Sequence, residues 1–353
     1  MAYADTYSTY NSGATGALKA NREELADFIS IIEPEVTPVT SAISKGSTKS
    51  VFTEWLCEDL SPAKVNSTAE GHDSSSWFNK SENRARLGNY INISKREFGV
   101  SDIQQMVDQA GIDSEIDHAK SKSVRELKRD IEAVVCGVQD RATGGSGAYA
   151  SRGLFDWIDA SGPADVPAMY RAAAGSISDG NDSSGSDDMT EAQLNGVLQS
   201  LFTDCGEKKT YMGVMAPKVV DIIDNFTRVE ASGKTRYQVN EQAGSKTINM
   251  EVKTFNSSFG IINVIPSVFL GGSNSGAEQT DADGDSLAFT YDDDAGLILD
   301  TDLLELKFLD PLHTETFEDR GGGPRGHAKA VYTLCVKNPK ANGKILAADN
   351  HGS

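Results

Sequence analysis

The sequence predicts an α+β fold, and three observations carry that expectation. Residues 47–60 and 86–98 alternate with the two-residue period of strands, on either side of a polar stretch. Residues 101–140 hold the strongest three-and-four spacing of apolar residues, the mark of an amphipathic helix. From residue 246 onward strand patterns dominate.

The chain has 353 residues, which at ~150 residues per domain gives about two domains or one elaborated domain. Apolar residues make up 38% and charged residues 24%, enough to bury a core and unlike a disordered polyelectrolyte. No stretch approaches the ~20 apolar residues of a membrane helix. The start, Met1 to Asp5, lacks the basic and apolar regions of a Sec-type signal. Acids outnumber bases 52 to 33, a net charge of −19. That argues against non-specific DNA binding through a basic face, because counterion release needs Lys and Arg.

The elements follow in order. Residues 1–20 have little periodicity and read as an extended arm. Asn21, with Glu24 three residues on, suits an N-cap for a helix carrying Leu25, Phe28, Ile29 and Ile32; Pro34 and Pro38 stop it. A second short helix covers Pro38–Ser44. In 47–60, Val51, Thr53, Trp55 and Cys57 share one strand face. Residues 61–85 are polar and loop-like, and 86–98 return as one strand with Leu87, Ile91 and Ile93 alternating against polar neighbours. The pair is a long hairpin with a broad tip, too poor in apolar surface to be stable alone. It needs the body or a neighbouring copy beneath it.

Ser101 and Asp102 suit the N-cap of the long helix. Ile103, Met106, Val107 and Ala110 form its first apolar stretch, Gly111 is a candidate interruption, and Ile112, Ile116, Ala119, Leu127, Ile131, Val134 and Val138 continue it. The opposite face holds Lys120, Lys122, Arg125, Glu126, Lys128, Arg129 and Asp130, ordinarily a solvated surface. A Gly-rich break at 141–147 follows. Thr190 to Gln193 reads as a capping box for a helix with Leu194, Val197, Leu198, Leu201 and Phe202. Tyr211–Met215 is a strand and Lys218–Phe226 a helix. Strands are then expected at Thr247–Phe255, Phe259–Leu270, Ser286–Tyr291, Leu297–Leu299, Glu305–Leu309 and Ala328–Val336.

The negative charge is concentrated. Residues 178–188 hold four acids and 254–306 hold ten, with no Lys or Arg in either, so these segments carry −14 of the −19. We expect this charge to face outward or, in a symmetric assembly of the kind that the resemblance below implies, to line the symmetry axes.

No catalytic constellation is visible: no G-x-S-x-G elbow, Walker A loop or H-E-x-x-H. The chain is therefore expected not to be an enzyme and to need no cofactor. The Gly321–Gly326 stretch lacks the G-K-[ST] ending of a phosphate loop and reads as a mobile turn. His313 and His327 flank that turn. Cys57, Cys136, Cys205 and Cys335 are widely spaced and read as small core residues of a reducing compartment. Asp281, Asp283 and Asp285 match positions 1, 3 and 5 of an EF-hand loop, but Ser286 replaces the required Gly and Asp292 the terminal Glu. They are kept as metal candidates, with a solvated turn as the plainer reading. Trp77 and Phe78 in the hairpin tip suit either a contact anchor or local packing. A sizeable chain without a site, but with an arm, a protruding hairpin and a long helix, suggests a self-assembling subunit.

The layout resembles the major capsid proteins of tailed bacteriophages, the Hong Kong 97 fold, and within it the SU-ten branch. The stretches that carry the resemblance are short but ordered and correctly spaced: Asn21-Arg-Glu-Glu-Leu-Ala-Asp27, Pro34-Glu-Val-Thr-Pro-Val39, Glu54-Trp55, Arg86-Leu-Gly-Asn-Tyr90, Ile93-Ser-Lys-Arg-Glu-Phe98, Arg125-Glu-Leu-Lys-Arg-Asp130 and Val336-Lys-Asn-Pro-Lys340. The chain departs from the pattern in its acidic 175–189 insertion and its acidic, Gly-rich 271–294 stretch.

The resemblance implies an N-terminal arm over 1–45 and an E-loop over 46–100. It implies a peripheral domain with its spine helix over 101–145 and 305–353, and an axial domain over 146–304. It implies pentamers and hexamers in an icosahedral virion shell around double-stranded DNA held without sequence-specific binding. Assembly would take place in the host cytoplasm with no membrane, with a portal and scaffolding or decoration proteins as partners. The subunit-interface candidates are Trp55, Trp77, Phe78, Tyr90, Arg125 and Arg129. Two alternatives stand beside this: an encapsulin-like compartment, and a calcium-dependent surface or binding protein using the Asp-rich loops.

Overall fold

The computed structural model describes residues 36–346 except 62, 74–76, 78–83, 108–113, 146, 180–188, 227–228, 232–233, 237–238, 243–244, 249–251, 271–293 and 320. The expected arm and its helix, Phe78, the 180–188 acids, the Ser286–Tyr291 strand, and Asp281, Asp283 and Asp285 lie outside the described residues.

Two sheets share one hydrophobic core. The first has four strands in the order Ser44–Ser47, Leu304–Phe317, Arg325–Val336 and Asn92–Gly99. Its first pair is parallel and the other pairs are antiparallel. Val331 to Val336 are buried without interruption, as expected of a central strand covered on both faces. The helix Glu115–Val135 crosses this sheet over Asn92–Gly99 and Arg325–Val336. It buries Leu127, Ile131 and Val135, and Arg96 clamps its Asp130 through two bonds of 2.6 and 2.7 Å.

The second sheet has six strands, in the order Thr254–Asn256, Gly260–Pro266, Lys209–Met215, Gly296–Leu299, Gly343–Leu346 and Ile177–Asp179. The helices Glu191–Cys205 and Pro217–Asn225 flank it. The expected capping box is present: the Thr190 hydroxyl accepts from Gln193 N–H, and the Gln193 side chain accepts from Thr190 N–H at 2.7 Å. Gly206, left-handed at φ 75°, ends that helix. Four two-stranded ribbons complete the described strands: Phe52–Glu58 with Arg84–Tyr90, Ala142–Thr143 with Tyr149–Ala150, Val229–Ala231 with Lys234–Arg236, and Val239–Gln242 with Ser245–Ile248.

Several expectations are corrected. The 86–98 strand is two strands, Arg84–Tyr90 and Asn92–Gly99, in different sheets. At Ile91, 3% exposed, the inward face changes phase, so that Ile93 points to solvent at 47%. The helix of 101–140 is also two helices. Asp102–Met106 starts at the expected Ser101 cap, while the long helix begins only at Glu115 behind its own cap, Ser114. Ile103, Met106 and Val107 are exposed rather than core, and Val138 lies beyond the helix end. The short helix stops at Ala42 and the chain enters a strand at Ser44. The Glu305–Leu309 strand extends to Phe317. The Thr247–Phe255 stretch is divided between a ribbon ending at Ile248 and a sheet strand starting at Thr254.

Candidate functional site

The hairpin is built into the body at its root, and its described residues from 59 to 77 are exposed. Phe52 pairs with Tyr90 and Glu58 with Arg84. Along Phe52–Glu58 the inward positions are Thr53, Trp55 and Cys57. Trp55 packs on Trp157 with ring centroids 5.6 Å apart, and the Cys57 thiol donates to the Lys337 carbonyl at 2.8 Å. On the other strand Asn89 is fully buried. Its amide donates to Ser151 Oγ at 3.0 Å and to the Leu334 carbonyl at 2.9 Å, and its Oδ1 accepts from Arg152 N–H at 2.9 Å. Tyr90 lies against Phe52 and Tyr149.

Behind this root is a charge network that sequence reading did not find. Arg152 is 1% exposed. Its guanidinium donates to Asp140 at 2.6 and 2.9 Å and to Asp165 at 2.8 and 3.2 Å. Its Nε also lies 2.8 Å from Asp156, and its plane covers the Trp157 ring at 4.8 Å. Asp165 is shared with Arg141 at 3.0 Å. Arg141 in turn donates to the Gly88 carbonyl at 2.6 Å and lies over Phe52 at 5.3 Å. Burial pushes Asp156 up to about 6; Asp140 and Asp159 add repulsion against the attraction of Arg152 and Lys344. Burial acts the same way on Asp165, but Arg152 and Arg141 outweigh it and hold that carboxyl below its usual range.

A second buried carboxylate anchors the chain where it enters the described body. Glu132, fully buried on the long helix, accepts the Val39 and Thr40 N–H groups at 2.8 Å each. Burial raises its carboxyl, tempered by those same bonds.

The outward surfaces are of two kinds. The hairpin exposes Leu56 at 64%, Leu60 at 88%, Val65 at 97% and Trp77 at 89%. The long helix presents Arg125 and Lys128 to solvent beside a shallow groove of about 430 Å³, lined by Asp117, Lys120, Ser121, Val124 and Thr314 as well. Arg129 turns over the Phe269 ring at 5.8 Å. Of the interface candidates described, Trp77 and Arg125 are thus outermost. Trp55 and Tyr90 face the hairpin root, and Arg129 is half-buried.

The acidic 254–306 segment is not all outward-facing charge. Asp300 is 5% exposed and accepts from Lys209 Nζ at 2.9 Å, and Glu305 pairs with Lys307 and Lys337. The Gly-rich stretch is an organised turn: Asp319 accepts the N–H groups of Gly321, Gly322 and Gly323 at 2.8, 3.1 and 3.1 Å. Those bonds hold its carboxyl below the usual range. His313 and His327 both approach Glu315, at 3.3 and 3.7 Å. Among the described residues no group of His, Cys, Asp and Glu has the geometry of a metal site. The four cysteines are free; Cys136 and Cys335 are fully buried, and Cys57 and Cys205 partly so. Among the described residues no helix is long and apolar enough to cross a membrane.

A root set in the body, exposed Leu60, Val65 and Trp77 beyond it, and a long helix across a sheet suit a self-assembling subunit, and comparison with known proteins decides the matter. The profile of the SU10 major capsid protein family matches residues 5–349. The chain belongs to that family. It is a phage major capsid protein, and neither the encapsulin-like nor the calcium-binding alternative is supported. Solved capsids share its fold. The capsid of cyanophage A-1(L) superposes with a TM-score of 0.62 at 10% identity, over 93% of this chain and 97% of that one. The capsid of a native GTA particle gives 0.58 at 9%, over 96% and 99%. That of cyanophage P-SCSP1u gives 0.57 at 11%, over 95% of each. Among curated proteins, none matches this sequence. The capsid subunit thus has the Hong Kong 97-type α+β fold expected from its layout.

Proposed function

We propose that this subunit assembles as pentamers and hexamers into an icosahedral virion shell that encloses double-stranded DNA, put together in the host cytoplasm around a portal, with scaffolding or decoration proteins as further partners. Its role is structural rather than enzymatic. The observation that carries the reading is the hairpin: a root fixed by buried side chains, and an outer part exposing Leu60, Val65 and Trp77. Such residues on a protruding ribbon gain by burial against another copy, at about 25 cal/mol per Å² of apolar surface. Repetition by symmetry closes the shell.

The same reading takes the four-stranded sheet with its long helix as the peripheral domain and the six-stranded sheet with its two helices as the axial domain. Gly343–Leu346 then belongs to the axial side, because it pairs with Gly296–Leu299 and Ile177–Asp179. Trp77 and Arg125 are the foremost contact residues. The test replaces residues 61–82 by a short Gly-Ser turn. The expected result is a folded chain by circular dichroism that forms no closed particles by negative-stain microscopy. Closed particles of normal size from that variant would overturn the reading.

A further inference from the structure

The long helix has one face that the fold leaves half covered. Asp117, Ser121, Val124 and Lys128 follow at steps of four and three and so lie in one row. Together with Lys120 and Arg125 they line the groove of about 430 Å³. The next step of four from Lys128 is Glu132, about 6 Å further along the axis. There the face is covered: Glu132 is buried and accepts the Val39 and Thr40 N–H groups at 2.8 Å each. The short helix Pro38–Ala42 thus sits at the end of the row. The chain ahead of it, residues 1–35, lies outside the described residues.

The groove is basic. Lys120, Arg125 and Lys128 stand against Asp117 alone. The ion pairs described on this helix join Lys122 to Glu126 and Asp130 to Arg96, so Lys120 and Lys128 have no carboxylate partner among the described residues. The sequence next to the entry point carries the opposite charge. Within 21–35 there are five acids, Glu23, Glu24, Asp27, Glu33 and Glu35, against one base, Arg22. Residues 1–20 hold only Asp5 and Lys19, so the acidity lies beside the groove's end.

Pattern and length agree as well. Leu25, Phe28, Ile29 and Ile32 fall at helical spacing and need an apolar surface. Val124 and the methylene stems of Lys120 and Lys128 supply one, and the same lysines carry the ammonium groups that the acids need. A helix over 21–32 is about 18 Å long, and the row from Asp117 to Lys128 spans about 16 Å. Residues 33–37 reach up to about 17 Å when extended, more than the single turn between Glu132 and Lys128.

We propose that this groove is the docking site of the chain's own residues 21–35. The apolar stripe lies on Val124 and the lysine stems, and Glu23, Glu24 and Asp27 face Lys120, Arg125 and Lys128. A tether this short holds the segment at an effective concentration on the order of millimolar, which favours it over the same segment of a second copy. The contact forms within one chain and does not depend on the shell reading.

The test is amide hydrogen exchange on the unassembled full-length chain at low salt, in peptides from 21–35 and 117–128. The wild type should protect 21–35 about tenfold beyond a chain carrying Lys120→Glu, Arg125→Glu and Lys128→Glu together, the scale of three exposed ion pairs. Reversing the partner in that same chain, with Glu23→Lys, Glu24→Lys and Asp27→Lys, should restore the protection. Circular dichroism and exchange in Lys209–Met215 check that each chain folds. Where the helix variant fails that check, the segment reversal alone serves, since it alters no described residue and should lose the same protection. Free exchange of 21–35 in the wild type overturns the proposal. So does protection that survives either reversal, or that the combined reversal does not restore. Protection that rises with protein concentration assigns the groove to a second copy's segment and also overturns it.

Discussion

Asn89→Ala tests whether the hairpin is set into the body by buried polar bonds or merely rests on it. The native amide satisfies the Arg152 N–H and the Leu334 carbonyl, at 2.9 Å each, in residues only 1% exposed. The Ser151 hydroxyl keeps a second partner in the Leu334 N–H. Truncation therefore strands two buried backbone groups at about 1–3 kcal/mol each, a total near 4 kcal/mol. That is a large share of the stability of an ordinary domain. The assay is urea unfolding under conditions that keep the chain unassembled, followed by tryptophan fluorescence. Two of the three tryptophans, Trp55 and Trp157, form the contact at the hairpin root and report directly on the joint. The midpoint should fall steeply. A loss below about 1 kcal/mol would refute the reasoning, since water would then be replacing the amide in a site read as closed.

Two further substitutions test the frame that carries the hairpin. Leu127→Ala, at a fully buried position of the long helix, should lower stability by about 2–5 kcal/mol in thermal melts, because its neighbours in the sheet cannot close the cavity. Gly323→Ala should cost about 1–3 kcal/mol and raise hydrogen exchange in 319–326, since Gly323 sits at φ 106° and an added Cβ collides with the Val100 carbonyl.

Local signals were the legible ones. The capping box at Thr190 and the apolar spacing after it define the helix Glu191–Cys205 from within a few residues, and the structure reproduces both. The two arms of the hairpin could be read from alternation, because one face of Phe52–Glu58 is buried and the other is not. The Ser44–Ser47 strand could not. It holds no apolar residue and owes its form to parallel pairing with Glu305 to Phe308, far along the chain. The break at Ile91 was hidden for a related reason, since alternation continues through it while the buried face switches. Arg152 and Asn89 were missed because polar residues are read as surface by default. A clue was present: Arg152 adjoins the apolar run Leu154, Phe155, Trp157 and Ile158, with an Asp four residues on. A charge in such company is buried when several acids converge on it, and Asp140 and Asp165 do so only through the fold.

The central claim is that the exposed hairpin is made for another copy of the same chain. Cryo-electron microscopy of particles formed by the purified full-length protein tests it most directly. We expect closed shells of five- and sixfold subunit clusters, with residues 59–77 lying on a neighbouring subunit and Trp77 buried there. A protein that remains monomeric, or shells in which the hairpin folds back onto its own body with Trp77 still in solvent, would contradict it.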